Sequence, residues 1–329
     1  MDNNNIKNMD DINKMQDDLH FDTKPHNLHC VQYLLLAVIT PVAFIIMKIF
    51  WEKRFCKSLD RVKILLRSSN KLTYGYNLHN GPSVWKVCFP DSIGDNQSPI
   101  NIDTECSISV GLCTKLKTYN WDTLPKSMSI QNTGVTVKLL PEWWTPCVPT
   151  ISGGPLKDDI YAVNCILFRW GPNNYEGSEH TLNNNRFSLE IQISTTRLNS
   201  KNDNDCFKHN NVAIISIFCQ ATINENPYLN YVLNHLHKIK KAASSTRIQP
   251  FPLTFLKSIN FERYYSYNGS LTFPPCTEDV TWIIFPDPIS ISAEQIARFR
   301  KLYNCDGDHI LTNTRPVQPL NSRQILYYR

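Results

Sequence analysis

Three apolar runs constrain the fold of this chain more than any other feature: Ile160 to Trp170, Phe187 to Thr196 and Val212 to Gln220. They are rich in β-branched and aromatic residues and read as strands of a buried sheet. Similar short runs, punctuated by turn residues, continue from Tyr74 to the C-terminus. Helices are few. One is expected after Asn226-Pro227, where Tyr228, Val232, His235 and Ile239 recur at helical spacing. A second starts at Ser292, an N-cap ahead of Ala293-Glu294-Gln295. The expected class is mainly β (α+β), in one domain over 74–329.

The N-terminal part differs. Residues 1–29 hold six Asp and many Asn and read as an acidic disordered tail. Cys30 to Met47 is an uncharged apolar run, and 30–50 is expected to be one transmembrane helix, with Trp51 at its interfacial end. A cleavable signal peptide fits poorly, because the preceding segment is too long and too acidic. A buried helix of a soluble protein is the alternative. Residues 51–73 read as a basic juxtamembrane linker able to rest on anionic lipid. Lys48, Lys53, Arg54, Lys57, Arg61, Lys63 and Arg67 follow the span, against only Lys14 and Lys24 within reach before it. That asymmetry puts the N-terminus outside and the large domain in the cytoplasm. The chain is thus expected at a membrane, single-pass.

Charge and cysteine usage narrow the function. The net charge of +5 is modest, and basic residues cluster only between Lys48 and Arg67, so no nucleic-acid partner is expected. The eleven cysteines are scattered without CxxC pairs, which gives no zinc-ribbon signal and suits free thiols in a reducing compartment. His235 and His237, two apart on the expected helix, face different directions and form no metal pair.

Motifs add what periodicity cannot. In order along the chain stand Tyr74-Gly75-Tyr76, His79-Asn80-Gly81-Pro82 with Trp85, and Gln97-Ser98-Pro99-Ile100-Asn101-Ile102. Ser152-Gly153-Gly154-Pro155-Leu156, Trp170-Gly171 and Gly177-Ser178-Glu179-His180-Thr181 follow, then Gly269-Ser270-Leu271-Thr272 with Pro274-Pro275. Asn313, Arg315-Pro316 and Gln318-Pro319-Leu320 close the series. Over 74–329 the chain resembles the α-carbonic anhydrases. The resemblance implies a large, twisted, mainly antiparallel sheet with short peripheral helices.

The same resemblance assigns positions. The family's zinc is held by three histidines, two at alternate positions of one strand and a third on its neighbour; those positions match Leu167, Arg169 and Gln192 here. Leu has no lone pair to donate, Arg carries a fixed positive charge, and Gln offers only a weak neutral oxygen. No zinc is therefore expected. The family's proton-shuttle histidine matches Val135, which carries no protons. Glu179 and Thr272 match the pair in which a threonine hydroxyl donates to a glutamate. Glu190 matches the glutamate that holds the third histidine, and His180 matches a structural histidine. A buried guanidinium needs opposite charge, so Arg169 is expected to pair with Glu179 or Glu190. Secreted members often join a cysteine at the position of Ser92 to one at Cys276; Cys88 could substitute. Asn268-Gly269-Ser270 is formally a glycosylation sequon.

Within the family, the blocks Phe89-Pro90-Asp91, Ser152-Gly153-Gly154-Pro155-Leu156 and Pro274-Pro275-Cys276 resemble the catalytically silent carbonic anhydrase-related proteins of the type VIII-like group, which implies a pseudoenzyme without CO2 hydration. The expected role is a membrane-tethered module binding another protein, whose identity the sequence does not give. Two alternatives stand beside it. One is residual or altered lyase or esterase activity, for which no Ser-His or Cys-His pair matches the pocket. The other is an anion or small-ligand pocket around Arg169.

Overall fold

The computed structural model describes residues 74–111, 115–198, 211–256 and 259–329. The expectations for 1–29, 30–50 and 51–73 lie outside the described residues. Among those described, no helix is long and apolar enough to cross a membrane.

Fourteen strands are described. The first eight are β1 (Asn101–Ile102), β2 (Ile108–Val110), β3 (Lys117–Tyr119), β4 (Ser127–Asn132), β5 (Val137–Glu142), β6 (Thr150–Ser152), β7 (Tyr161–Trp170) and β8 (Thr181–Leu182). After them come β9 (Leu189–Arg197), β10 (Val212–Thr222), β11 (Ser245–Ile248), β12 (Tyr264–Ser270), β13 (Glu278–Ser292) and β14 (Leu326–Tyr328). One large sheet runs β11-β4-β5-β7-β9-β10-β13-β12-β14-β2, with β3 and β6 joined beside β7. The short strands β1 and β8 pair separately. Pairing is mainly antiparallel, but β10 lies parallel to β13 at the centre and β14 parallel to β2 at one end. The large sheet is therefore mixed.

The three apolar runs became β7, β9 and β10, three adjacent central strands, as their composition requires. Both their faces are buried, so apolar residues fill positions that an exposed sheet would give to polar ones. Ile166, Phe168 and Trp170 of β7, Leu189, Ile191 and Ile193 of β9, and Ile215, Ile217 and Cys219 of β10 enter one large apolar core. A register shift between Val163 and Cys165 of β7 changes which alternate residues face that core. Beyond it, Cys165 and Leu167 point to the other side and pack with Phe273.

The helices are short. α1 (Pro82–Cys88) begins with Pro at its first turn. The helix expected after Pro227 is two pieces, α2 (Asn230–Leu233) and a 3-10 turn over Leu236–Ile239, with His235 between them. Its apolar spacing is real, since Val232, Leu233, Leu236 and Ile239 all reach the core, but the backbone does not hold one continuous helix. α3 (Ala293–Phe299) is N-capped by Ser292 in a reciprocal capping box with Gln295, as the sequence predicts.

Candidate functional site

The face of the sheet opposite the large core carries a polar stripe. Alternation in the strands projects Leu167 and Arg169 from β7, Glu190 and Gln192 from β9, and Ser216 from β10 to that side. Pairing register sets them in rows: Leu167 opposite Gln192, Arg169 opposite Glu190, and Gln192 opposite Ser216. Glu179 and His180 arrive from the loop between β7 and β8. That loop folds back tightly: a Cβ on Gly177 would stand 1.8 Å from the carbonyl oxygen of Ser188, so only glycine fits. Thr272 follows β12, and Asn313 and Arg315 come from the C-terminal segment.

Arg169 is the hub. It is 1% exposed, among the largest fully buried side chains. Its Nε donates to Gln192 Oε1 at 3.0 Å and lies 3.2 Å from Glu179 Oε2. One terminal nitrogen donates to the Tyr76 hydroxyl at 3.0 Å and to the Asn313 carbonyl at 3.4 Å; the other donates to Thr272 Oγ1 at 3.3 Å. The Phe273 ring lies 5.3 Å from the guanidinium carbon. Burial alone would lower the Arg169 pKa, but the Glu179 carboxylate foremost raises it above the ordinary arginine value. Burial likewise lifts the Tyr76 phenol well above its usual range, so that group stays protonated.

Gln192 bridges the two carboxylates. Its amide nitrogen donates to Glu179 Oε2 at 2.8 Å and to Glu190 Oε1 at 3.0 Å, while its oxygen accepts from Arg169. Glu190 also accepts from the backbone nitrogens of Glu179 and His180, from the His180 ring at 3.0 Å and from Ser216 Oγ at 2.8 Å. Burial would raise its carboxyl, yet His180 and these hydrogen bonds hold it down at about 2.

A hydrogen-bond chain extends behind Glu190. A carboxylate only accepts, so His180 Nδ1 bears the proton toward Glu190. The backbone nitrogen of Ser270 donates to Ser98 Oγ at 2.9 Å, Ser98 Oγ and the Tyr267 hydroxyl are 2.7 Å apart, and Tyr267 is 2.8 Å from His180 Nε2. With Ser98 donating to Tyr267 and Tyr267 to His180, every buried group in the chain is satisfied. Arg315, 4% exposed, donates its backbone nitrogen to Glu179 Oε1 and its guanidinium to Gln97 Oε1 and the carbonyls of Ser98 and Ser92. The Arg315 guanidinium thus bonds neutral oxygens, while the Arg169 guanidinium is the one that faces a carboxylate of this cluster among the described residues.

The structure brings six of the seven sequence-derived site residues into one neighbourhood, and Arg169 does reach Glu179. One relationship differs from the expectation. Thr272 and Glu179 share no hydrogen bond among the described residues, because the Arg169 guanidinium engages both. Val135 stands apart; its carbonyl accepts from Asn313 Nδ2 at 3.1 Å. Cys88 is an exposed free thiol and Cys276 a buried one, so no disulfide joins them. Among the described residues no three His, Cys, Asp or Glu side chains form a group able to hold a metal ion. Ser216 escaped the sequence reading, although a lone serine inside an otherwise apolar run marks a polar partner on that face.

A sequence profile described as eukaryotic-type carbonic anhydrase matches residues 80–329. The chain is also similar to carbonic anhydrase 1 of Mus musculus, 33% identical over 260 residues, which cover 77% of this chain and 97% of that protein.

Proposed function

The chain belongs to the eukaryotic-type carbonic anhydrase family, and from that premise we propose that it has lost the zinc site and CO2 hydration and acts as a membrane-tethered protein-interaction module. One observation carries the reading: Arg169, sealed from solvent, is bonded to Gln192 and Glu179 where the resemblance expects metal-binding imidazoles.

The residues there do not fit zinc, which the family normally uses. Zinc sites need nitrogen, thiolate or carboxylate donors in a tetrahedral set. Leu167 has none, Arg169 only donates hydrogen bonds, and the amide of Gln192 is committed to Arg169, Glu179 and Glu190. A dication added beside Arg169 would also meet a fixed positive charge that already occupies Glu179. The burial of Arg169 weighs equally against an open anion pocket around it. The tether rests on the apolar run 30–47 and its basic flank, and those same charges support a cytoplasmic domain.

The decisive experiment is metal analysis of purified residues 74–329, with a CO2 hydration assay beside it. No stoichiometric zinc and no sulfonamide-sensitive turnover are expected. One equivalent of zinc with turnover would overturn the reading.

A further inference from the structure

The stretch from Asn226 to Phe261 contains no Asp or Glu, while it carries Lys238, Lys240, Lys241 and Arg247, all exposed. Local geometry gathers these cations on neighbouring parts of the surface. Lys238 and Lys240 lie within and just after the 3-10 turn that contacts β11. Arg247 projects outward from β11, the edge strand of the sheet. The carbonyl of Lys240 accepts from the backbone nitrogen of Tyr303 at 2.8 Å, which brings the exposed Lys301 alongside. Tyr231, 53% exposed, stacks on Phe251 just beyond the end of β11. Among the described residues none of these five cations forms an ion pair. The nearest acids in sequence to Tyr303, Asp306 and Asp308, sit in the following turn, where Asp306 faces His79.

We propose that this face docks on an anionic lipid surface. Four lysines and Arg247, none in an ion pair among the described residues, beside an exposed tyrosine suit the headgroup region, where cations meet acidic lipid and tyrosine sits at the interface. An edge strand bearing Arg247 is also protected by that charge from pairing with another chain. The inference rests on the tether proposed above, because a patch of this size binds weakly by itself and gains from being held near the bilayer.

The test uses residues 74–329 without the tether, so its failure is separate from failure of the tether. Three apolar cores of the described residues lie within this segment, and the similarity to the murine relative covers 97% of that protein's length. The probe is sedimentation with phosphatidylcholine vesicles, with and without roughly a third phosphatidylserine. Binding is expected only with phosphatidylserine, falling roughly fivefold for each cation removed and fading as salt rises. The variant K238E/K240E/K241E/R247E should lose binding while keeping its thermal midpoint; should it fail to fold, Lys238→Gln with Lys241→Gln gives the same readout. Equal binding to both vesicles, no binding to either, or unchanged binding after charge removal would overturn the proposal. Tighter binding to single-stranded RNA than to the acidic vesicles at equal salt would also overturn it, and would assign the face to nucleic acid.

Discussion

Arg169 Nε lies 3.2 Å from Glu179 Oε2, with both side chains shut away from solvent. The pair is not an isolated salt bridge, because Gln192 contacts both members and Arg315 closes the other side of the carboxylate through its backbone nitrogen.

Removing the cation should therefore cost more than the pair itself contributes. Arg169→Ala leaves Glu179 buried and short of compensating charge, so a loss of about 3–5 kcal/mol in unfolding free energy is expected in urea titration. Adding Glu179→Gln to that variant should recover part of the loss, since it removes the stranded charge. An Arg169→Ala protein as stable as the parent would show that the guanidinium is not structural.

Restoring imidazoles tests whether the surrounding frame still suits a metal. Positions 167 and 169 project to one face of β7 and 192 stands beside them on β9, with Glu190 already 3.0 Å from the Gln192 amide. The variant L167H/R169H/Q192H is expected to take up about one zinc per chain, whereas each single replacement should take up none. Metal content after dialysis reads the outcome, and a zinc-free triple variant would mean that the cavity has been rebuilt around arginine.

Acid should weaken the fold through Glu190. Its folded pKa of about 2 lies below the ordinary glutamate value, so the folded state binds fewer protons there than the unfolded chain. Its stabilisation is complete above pH of about 4.3 and is lost as pH falls toward 2, amounting to roughly 3 kcal/mol at most. Denaturation followed between these pH values should show that slope, and Glu190→Gln should flatten it while lowering stability near neutrality.

The full chain should remain in the membrane pellet after alkaline carbonate extraction, and a release into the supernatant would remove the proposed span. Asn268 offers a readout of sidedness, because its side chain is exposed on β12 while its neighbours are buried. A glycan there after expression in a secretory cell would place the domain outside the cytoplasm; its absence, with protease cleavage of the domain in intact microsomes, is the expected result.

Much of this arrangement was legible in the residues. The apolar runs located β7, β9 and β10 because strands buried on both faces need little polar sequence. The Ser292 cap announced α3, since Ser followed three residues later by Gln makes a local, self-contained motif. The pairing of Arg169 followed from the cost of an unpaired buried ion. Two features were not legible. The shift between Val163 and Cys165 leaves Asn164 of β7 without a register partner on β9, and no Gly or Pro in that run announces it. The separation of Thr272 from Glu179 depends on where a long guanidinium ends, which no spacing along the chain specifies.

The parallel pairing of β10 with β13 has a consequence for how the chain is made. A ribosome delivers β7, β9 and β10 long before Val280 to Ser292 can close against β10, and Thr272, Asn313 and Arg315 appear later than Arg169 and Glu179. Until then the arginine and both glutamates have only part of their final set of partners, and the edge of β10 waits open. The nascent domain must therefore be kept apart from its neighbours until nearly its last residues emerge, and a premature stop before Asn313 would leave an unfinished sheet with a charged centre.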